Sequence, residues 1–114
     1  PGEGEEDVRE LVDFRERSPL TYFHVFPFSP RPGTAAAQRP RLAEAVVAER
    51  ARILRRLAAE KNERFRRGFA GRELEAVVIR SGKEGAEALT DNDIRVRVPA
   101  GRAAAREFVR VVVA

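Results

Sequence analysis

The spacing of apolar residues changes from a helical to a strand-like period along the chain, and this change predicts the order of elements. Within residues 5–17, apolar residues such as Val8 and Leu11 recur at helical spacing and predict a first helix. The acidic first turn of this helix suits the positive end of a helix dipole. A second apolar stripe, from about residue 41 to residue 66, predicts a long amphipathic helix that Gly68 ends.

An aromatic stretch and a proline-rich loop lie between the two helices. Residues 21–26 are β-branched and aromatic and predict a strand, apolar on both faces like a strand of a parallel barrel. The prolines that follow, up to Gly33, cannot continue a ladder or start a helix. We therefore predict a buried strand that runs into a stiff loop and presents Arg31 from a rigid edge.

The last third of the chain has the period of short strands. The segment 94–98 alternates apolar residues with Arg95 and Arg97, which places both arginines on one exposed face. Short strands with small loops predict a small antiparallel barrel and an α+β fold class. The four strands are expected at residues 74–79, 86–89, 94–98 and 108–113, with turns at 81–85 and 91–92.

Composition narrows the chemistry that the chain can perform. The 114 residues provide one ordinary domain or pieces of two, and the opening on Pro1 without Met predicts a piece of a longer protein. The absence of cysteine excludes disulfides, thiolate catalysis and Cys-ligated metal within these residues. With a single histidine, His24, we assign no catalytic or metal-ligating residue. No apolar run approaches the ~20 residues that a membrane-spanning helix needs.

The positive charge is concentrated in the middle of the chain. The net charge of +4 divides into −3 over residues 1–34, +6 over residues 35–70 and +1 over residues 71–114. An arginine-rich helix face is often only a solvated surface. Arginine is also the residue best suited to phosphate contacts. The candidates for such contacts are Arg64, Arg66 and Arg67 at the helix end, and Arg95 and Arg97 on the strand face.

Two stretches carry a resemblance to a known family. Residues 24–34, HVFPFSPRPGT, resemble the end of the last barrel strand in the radical-SAM tRNA methylthiotransferases, closest to the branch that modifies threonylcarbamoyladenosine. Phe28 and Ala35 stand where that branch usually has Tyr and Pro. The opening residues 1–7 are similar to a family segment that precedes a helix.

The last third resembles the TRAM domain that ends these enzymes. Residues 71–75, GRELE, look like its opening, and residues 90–96 resemble its turn and following strand. Leu89 and Asp93 depart from the aromatic or histidine side chains that the family commonly has there. The chain stops before the strand that closes a complete TRAM barrel, so we expect an OB-like barrel that is incomplete.

The resemblance implies three parts: the end of a radical-SAM (β/α) barrel at residues 1–40, a connecting helix at residues 41–68, and a TRAM-like domain at residues 69–114. It implies a parent enzyme that methylthiolates N6-threonylcarbamoyladenosine beside the tRNA anticodon, using S-adenosylmethionine and two [4Fe-4S] clusters. These residues alone would bind none of those cofactors. The expected partners are the tRNA anticodon loop and the upstream barrel and N-terminal domain of the same protein, in the cytoplasm and without a membrane.

The role left to these residues is substrate recognition. Two alternatives remain open: a stand-alone TRAM-type RNA-binding module, and a structural fragment whose basic helix binds a partner helix. Loss of binding with rising salt would favour RNA over a hydrophobic partner. The expected RNA-binding residues are Arg31, Thr34, Arg64, Arg66, Arg67, Thr90, Asn92, Arg95 and Arg97.

Overall fold

A computed structural model describes residues 1–101 and 103–114, which form two units, Pro1–Phe65 and Arg66–Ala114. The first unit holds helix α1, Glu5–Arg17, and all but the last two residues of helix α2, Glu44–Arg67. The first helix has the predicted bounds, and the backbone N–H of Gly4 donates to Asp7 Oδ2 at 2.6 Å at its start. The second begins three residues later than predicted, since the Ala43 carbonyl accepts its first backbone bonds.

Two buried cations on α2 hold the two ends of α1. Arg50 donates to the carbonyl of Glu3 at 2.9 Å and to the carboxylate of Glu5 at 2.6 Å. Lys61 Nζ donates to the carbonyls of Arg15, Glu16 and Ser18 at 2.7, 2.9 and 2.8 Å. Arg50 and Lys61 are eleven positions apart, and so are Glu5 and Glu16. This spacing corresponds to a rise of about 16 Å along each helix. The two helices therefore run in the same direction with matched ends.

The strand predicted at residues 21–26 is not formed. The segment is extended, with half-buried Phe23 and Val25 alternating with exposed side chains, but no other segment of the described residues pairs with its backbone. Tyr22 and Phe26 lie on either side of His24, with ring centroids 4.9 and 5.8 Å from the imidazole. The alternation of half-buried and exposed side chains is a local property, and it is present here. A strand also requires a neighbouring backbone that accepts and donates its hydrogen bonds.

The second unit is a four-stranded antiparallel sheet with the order β3-β2-β1-β4. The strands are β1, Glu73–Gly82, β2, Gly85–Thr90, β3, Arg95–Val98, and β4, Phe108–Val112. The predicted small antiparallel β domain is confirmed. The barrel is not closed within the described residues, because β3 and β4 remain the two edges of an open sheet.

The core of this unit lies on one face of the sheet. Ala76, Val78, Ala88 and Val98 are buried there, and all four have small side chains. Gly85 begins β2 with a φ of +136°, and a Cβ atom at this position would lie 2.8 Å from the Val98 carbonyl oxygen. Only glycine fits this approach of the β1–β2 hairpin to β3.

A β-bulge determines which side chains of β1 face outward. Val78 pairs with Ala88, but the next pair is Arg80 with Glu87, so Ile79 is the extra residue. Without the bulge, alternation would place residue 80 on the same buried face as Val78. The bulge turns Arg80 to the outward face.

We expect Lys61→Met to lower the free energy of unfolding of the first unit by about 2–3 kcal/mol, because three carbonyls at the end of α1 lose a charged donor. Urea unfolding followed by helical circular dichroism measures this loss. Arg64→Gln is the matched control. Its ion pair with Glu16, at 3.3 Å, is exposed on both sides and should contribute less than about 1 kcal/mol. Equal losses in the two variants would contradict the proposed role of Lys61 in holding the end of α1.

Candidate nucleic-acid interface

The outward face of the sheet carries a row of charged side chains across three strands. Glu87 on β2 pairs with Arg80 on β1 and with Arg97 on β3, and Arg95 lies two residues before Arg97 on the same face of β3. We call these four residues the basic face. Three arginines surround one glutamate, so the face keeps a positive balance. Arg95 and Arg97 share an exposed face as the alternation predicted.

Glu87 organises the arginines around it. Arg95 Nη1 donates to Glu87 Oε1 at 2.8 Å, and Arg80 Nη2 donates to Glu87 Oε2 at 3.1 Å. The hydrogen bond from Arg95 holds the pKa of the Glu87 carboxyl below its ordinary value of 4.5, and the charges of Arg95, Arg80 and Arg97 add to this effect. Glu87 therefore stays ionised and holds two guanidinium groups in place at neutral pH.

An open cleft of about 620 Å³ lies beside the basic face, between the β1–β2 hairpin and β3. Its lining includes Arg80, Arg95 and Arg97, together with Lys83 and Glu84 from the hairpin turn. Four cations against the two carboxylates of Glu84 and Glu87 make the cleft suited to an anion such as a phosphate.

The opposite end of the same sheet face is neutralised. Arg110 on β4 has Nη1 3.7 Å from Glu73 Oε1 and Nε 3.7 Å from Glu75 Oε1. One arginine there faces two carboxylates. The positive potential of the outward face is thus confined to the half that contains the basic face.

The turn residues predicted to bind RNA form hydrogen bonds within their own turn. The Thr90 side chain is buried, and its hydroxyl accepts from the backbone N–H of Ile94 at 2.9 Å and lies 2.6 Å from Asn92 Oδ1. Asn92 is half-buried, and Asp93 adopts a left-handed conformation with a φ of 63°. These contacts shape the turn before β3.

In the proline-rich loop, the two residues predicted to bind RNA, Arg31 and Thr34, are joined by a hydrogen bond. Thr34 Oγ1 donates to the Arg31 carbonyl at 2.9 Å and accepts from the backbone N–H of Ala37 at 3.3 Å. Thr34 is thus the N-cap of a short 3-10 helix, Ala35–Gln38. The side chain of Arg31 is exposed, while its carbonyl is held by the turn.

The arginines at the end of α2 differ in their surroundings. Arg64 Nη1 lies 3.3 Å from Glu16 Oε1, which neutralises part of its charge. Arg66 and Arg67 are exposed, and their carbonyls accept from the backbone N–H groups of Phe69 and Ala70 at 3.1 Å in the turn that ends the helix. Arg64 belongs to the first unit, and Arg66 and Arg67 to the second.

Sequence analysis missed Arg80 and Lys83. Apolar residues at 74, 76 and 78 place position 80 on the buried face by simple alternation, and only the bulge at Ile79 reverses this. Lys83 appeared as an ordinary turn residue. Among the described residues, no cluster of metal-ligating side chains is found, and no helix is long and apolar enough to cross a membrane.

Comparison with known proteins decides the family. A threonylcarbamoyladenosine tRNA methylthiotransferase of Aquifex aeolicus is 40% identical over 98 residues, which cover 85% of this chain and 23% of the relative. By sequence, the chain is homologous to a segment of the tRNA methylthiotransferases. No model of a protein family matches it.

Other relatives carry two different names. A probable threonylcarbamoyladenosine tRNA methylthiotransferase of Pyrococcus horikoshii is 34% identical over 90% of the chain. A tRNA-2-methylthio-N(6)-dimethylallyladenosine synthase of Paenarthrobacter aurescens is 36% identical over 99% of it. The chain spans 24% of the length of each of these two tRNA methylthiotransferase relatives.

We expect the Glu87 carboxyl to titrate with a midpoint below 4.5, because Arg95, Arg80 and Arg97 stabilise its ionised form. Carbon-detected NMR of the side-chain carboxyl measures this pKa. Arg95→Gln should move the midpoint toward 4.5 by more than Arg97→Gln, which removes a charge but no hydrogen bond.

The lowered pKa of Glu87 also predicts how the stability of the protein changes with pH. A carboxyl whose pKa is lowered by folding contributes stability that is present above about pH 4.5 and is lost as the pH falls through the lowered pKa. A Glu87 midpoint that Arg95→Gln leaves unchanged would contradict the pairing.

Proposed function

We propose that this chain is the C-terminal, tRNA-recognising part of a radical-SAM tRNA methylthiotransferase. Three observations support the proposal: the homology to tRNA methylthiotransferases, the motif in the proline-rich loop, and the basic face beside its cleft. The basic face is the main support, because Arg80, Arg95 and Arg97, on the two strands that flank β2, offer guanidinium groups to one cleft. Guanidinium groups bind phosphate oxygens in a bidentate manner, and phosphate contacts position a protein on RNA.

The proposed parent protein methylthiolates N6-threonylcarbamoyladenosine next to the anticodon. Relatives named for this nucleoside and relatives named for dimethylallyladenosine both match the chain, and the loop motif at residues 24–34 favours the former. We place residues 1–40 at the end of the barrel, residues 41–68 in the connecting helix and residues 69–114 in the TRAM-like domain. The partners are the tRNA anticodon loop and the rest of the same protein, acting in the cytoplasm.

The cofactors of such an enzyme would be held elsewhere in the protein. S-adenosylmethionine chemistry in this family uses [4Fe-4S] clusters, and clusters of this type are held by cysteine thiolates. This chain has no cysteine, so its residues do not fit as cluster ligands. Its own residues would bind and orient the tRNA and would not take part in the radical step.

The proposed RNA contacts fall into two classes. Arg95 and Arg97 on the basic face, with Arg64, Arg66 and Arg67 at the helix end, would contact phosphates. The second class is composed of loop and turn residues, which also organise the local backbone through hydrogen bonds. They are Arg31, Thr34, Thr90 and Asn92.

A stand-alone RNA-binding module is the second candidate. It would use the same basic face, and it is supported by the separation of the sheet into a unit of its own. The helical unit and its proline-rich loop have no evident use in such a module. In the proposed enzyme, the proline-rich loop lies at the C-terminal mouth of the barrel, where active sites of this fold are found, so Arg31 would contribute to turnover. A stand-alone module would have no such role for Arg31.

We expect the double substitution Arg95→Gln and Arg97→Gln to weaken binding of a tRNA anticodon stem-loop and to lower the salt dependence. Each phosphate contact contributes roughly 0.7–0.9 to the slope of log affinity against log salt, so the slope should fall by about 1.5. Titrations at several salt concentrations measure it. Arg110→Gln is the control, since its charge is already neutralised by Glu73 and Glu75. An unchanged slope in the double variant would exclude the basic face as the phosphate site.

Substitution of Arg31 tests its proposed role in methylthiolation. In the full-length protein, Arg31→Gln should lower the rate of tRNA methylthiolation by about tenfold or more, while tRNA affinity changes little. The reason is the loss of a charge-assisted contact that positions the tRNA at the barrel mouth. Arg39→Gln removes an exposed arginine at the end of the neighbouring 3-10 helix and serves as the control. Equal losses of rate and affinity would place Arg31 in general phosphate binding, whereas a full-length protein that binds tRNA without methylthiolating it would favour the module.

A further inference from the structure

The outward face of the sheet also carries an apolar row that ends in an exposed aromatic ring. Val77 on β1 pairs with Leu89 on β2 and with Phe108 on β4, and Leu89 pairs with Arg95 on β3. Val77 and Leu89 are half-buried, whereas Phe108 is 81% exposed. The row is therefore a short apolar surface, with the exposed ring of Phe108 at one end and the guanidinium group of Arg95 at the other.

Register places Phe108 on this face without ambiguity. Its neighbour Val109 pairs with Ala76 and packs against the buried core, so Phe108 points to the opposite face of β4. Because the bulge at Ile79 absorbs one residue, Arg80 is the next outward position after Val77 along β1. Arg80 lies three residues along β1 from Val77, the partner of Phe108, so the guanidinium group and the ring are about 10 Å apart along the strand, a span that a short stretch of RNA can bridge.

We propose that Phe108 is a base-stacking platform for an unpaired nucleotide of the RNA whose phosphates lie on the basic face. This inference rests on the proposed RNA-binding function and adds to it the contact that holds a base. An exposed aromatic ring beside guanidinium groups is the combination by which sheet surfaces hold single-stranded nucleic acid. Charge complementarity favours RNA over a protein partner here, because the row is bordered by Arg80 and Arg95 on its positive side.

Stacking and phosphate contact have different signatures. A base stacked on a ring contributes affinity that barely depends on salt, since no counterion is released. Phe108→Ala should therefore weaken binding of an oligoadenylate of about eight nucleotides by about tenfold and leave the salt slope unchanged. The double substitution at Arg95 and Arg97 should lower the slope. The exposure of Phe108 makes its truncation compatible with folding.

The chain has no tryptophan, so Phe108→Trp introduces a single indole as a reporter. We expect its fluorescence to be quenched by the oligoadenylate and not by an abasic strand of equal length, which carries phosphates without bases. Val112→Trp is the matched control. It lies on the same face of β4, 65% exposed, but opposite Glu73 at the acidic end, and should not be quenched.

The outcomes separate the two proposals. Quenching by the oligoadenylate alone supports the stacking site. Binding with full salt dependence but with no quenching, and with unchanged affinity in Phe108→Ala, overturns the stacking site, leaves the phosphate contacts intact, and points to a protein contact at this ring. Quenching together with an unchanged slope in the arginine variant supports the stacking site and excludes the proposed phosphate contacts of Arg95 and Arg97. Failure of the chain to bind RNA at low salt would overturn both.

Discussion

The helical unit depends on a buried lysine that satisfies the end of a helix. The last carbonyls of α1 have no partners within their own helix, and Lys61 donates to three carbonyls in this region. Arg50 completes the arrangement at the other end of α1 with hydrogen bonds to Glu3 and Glu5. Because both cations project from α2 at the spacing of the α1 ends, they determine the direction and register of the helix pair. The long connection of residues 18–43 is the consequence of two helices that run the same way.

The same requirement for hydrogen-bond partners explains the contrast between the extended segment and the sheet. Residues 21–26 alternate like a strand but pair with no backbone in the described part of the chain, and their exposed side carries Tyr22, His24 and Phe26. The sheet strands have partners on at least one edge and place their small apolar residues in a common core. Regular strand structure therefore appears only where a second backbone is available.

One inserted residue in β1 builds the candidate interface. Ile79 shifts the ladder so that Arg80 joins Glu87 and Arg97 in one row, on the same outward face as Phe108. Glu87 then accepts hydrogen bonds from Arg80 and Arg95 and holds them at the edge of the cleft. The arrangement combines fixed positive charge with an exposed aromatic ring, which are the two features that proteins combine to hold single-stranded nucleic acid.

Sequence alone determined the local elements. The helical period of residues 5–17 and the alternation in residues 94–98 depend on neighbours a few positions apart, and both were confirmed. Only the tertiary structure decided that residues 21–26 lack a partner strand, that Lys61 reaches α1 and that Arg80 faces outward. These properties depend on which distant segments meet and in which register. A one-residue shift in register exchanges the faces of a strand, and a periodic pattern does not record where such a shift occurs.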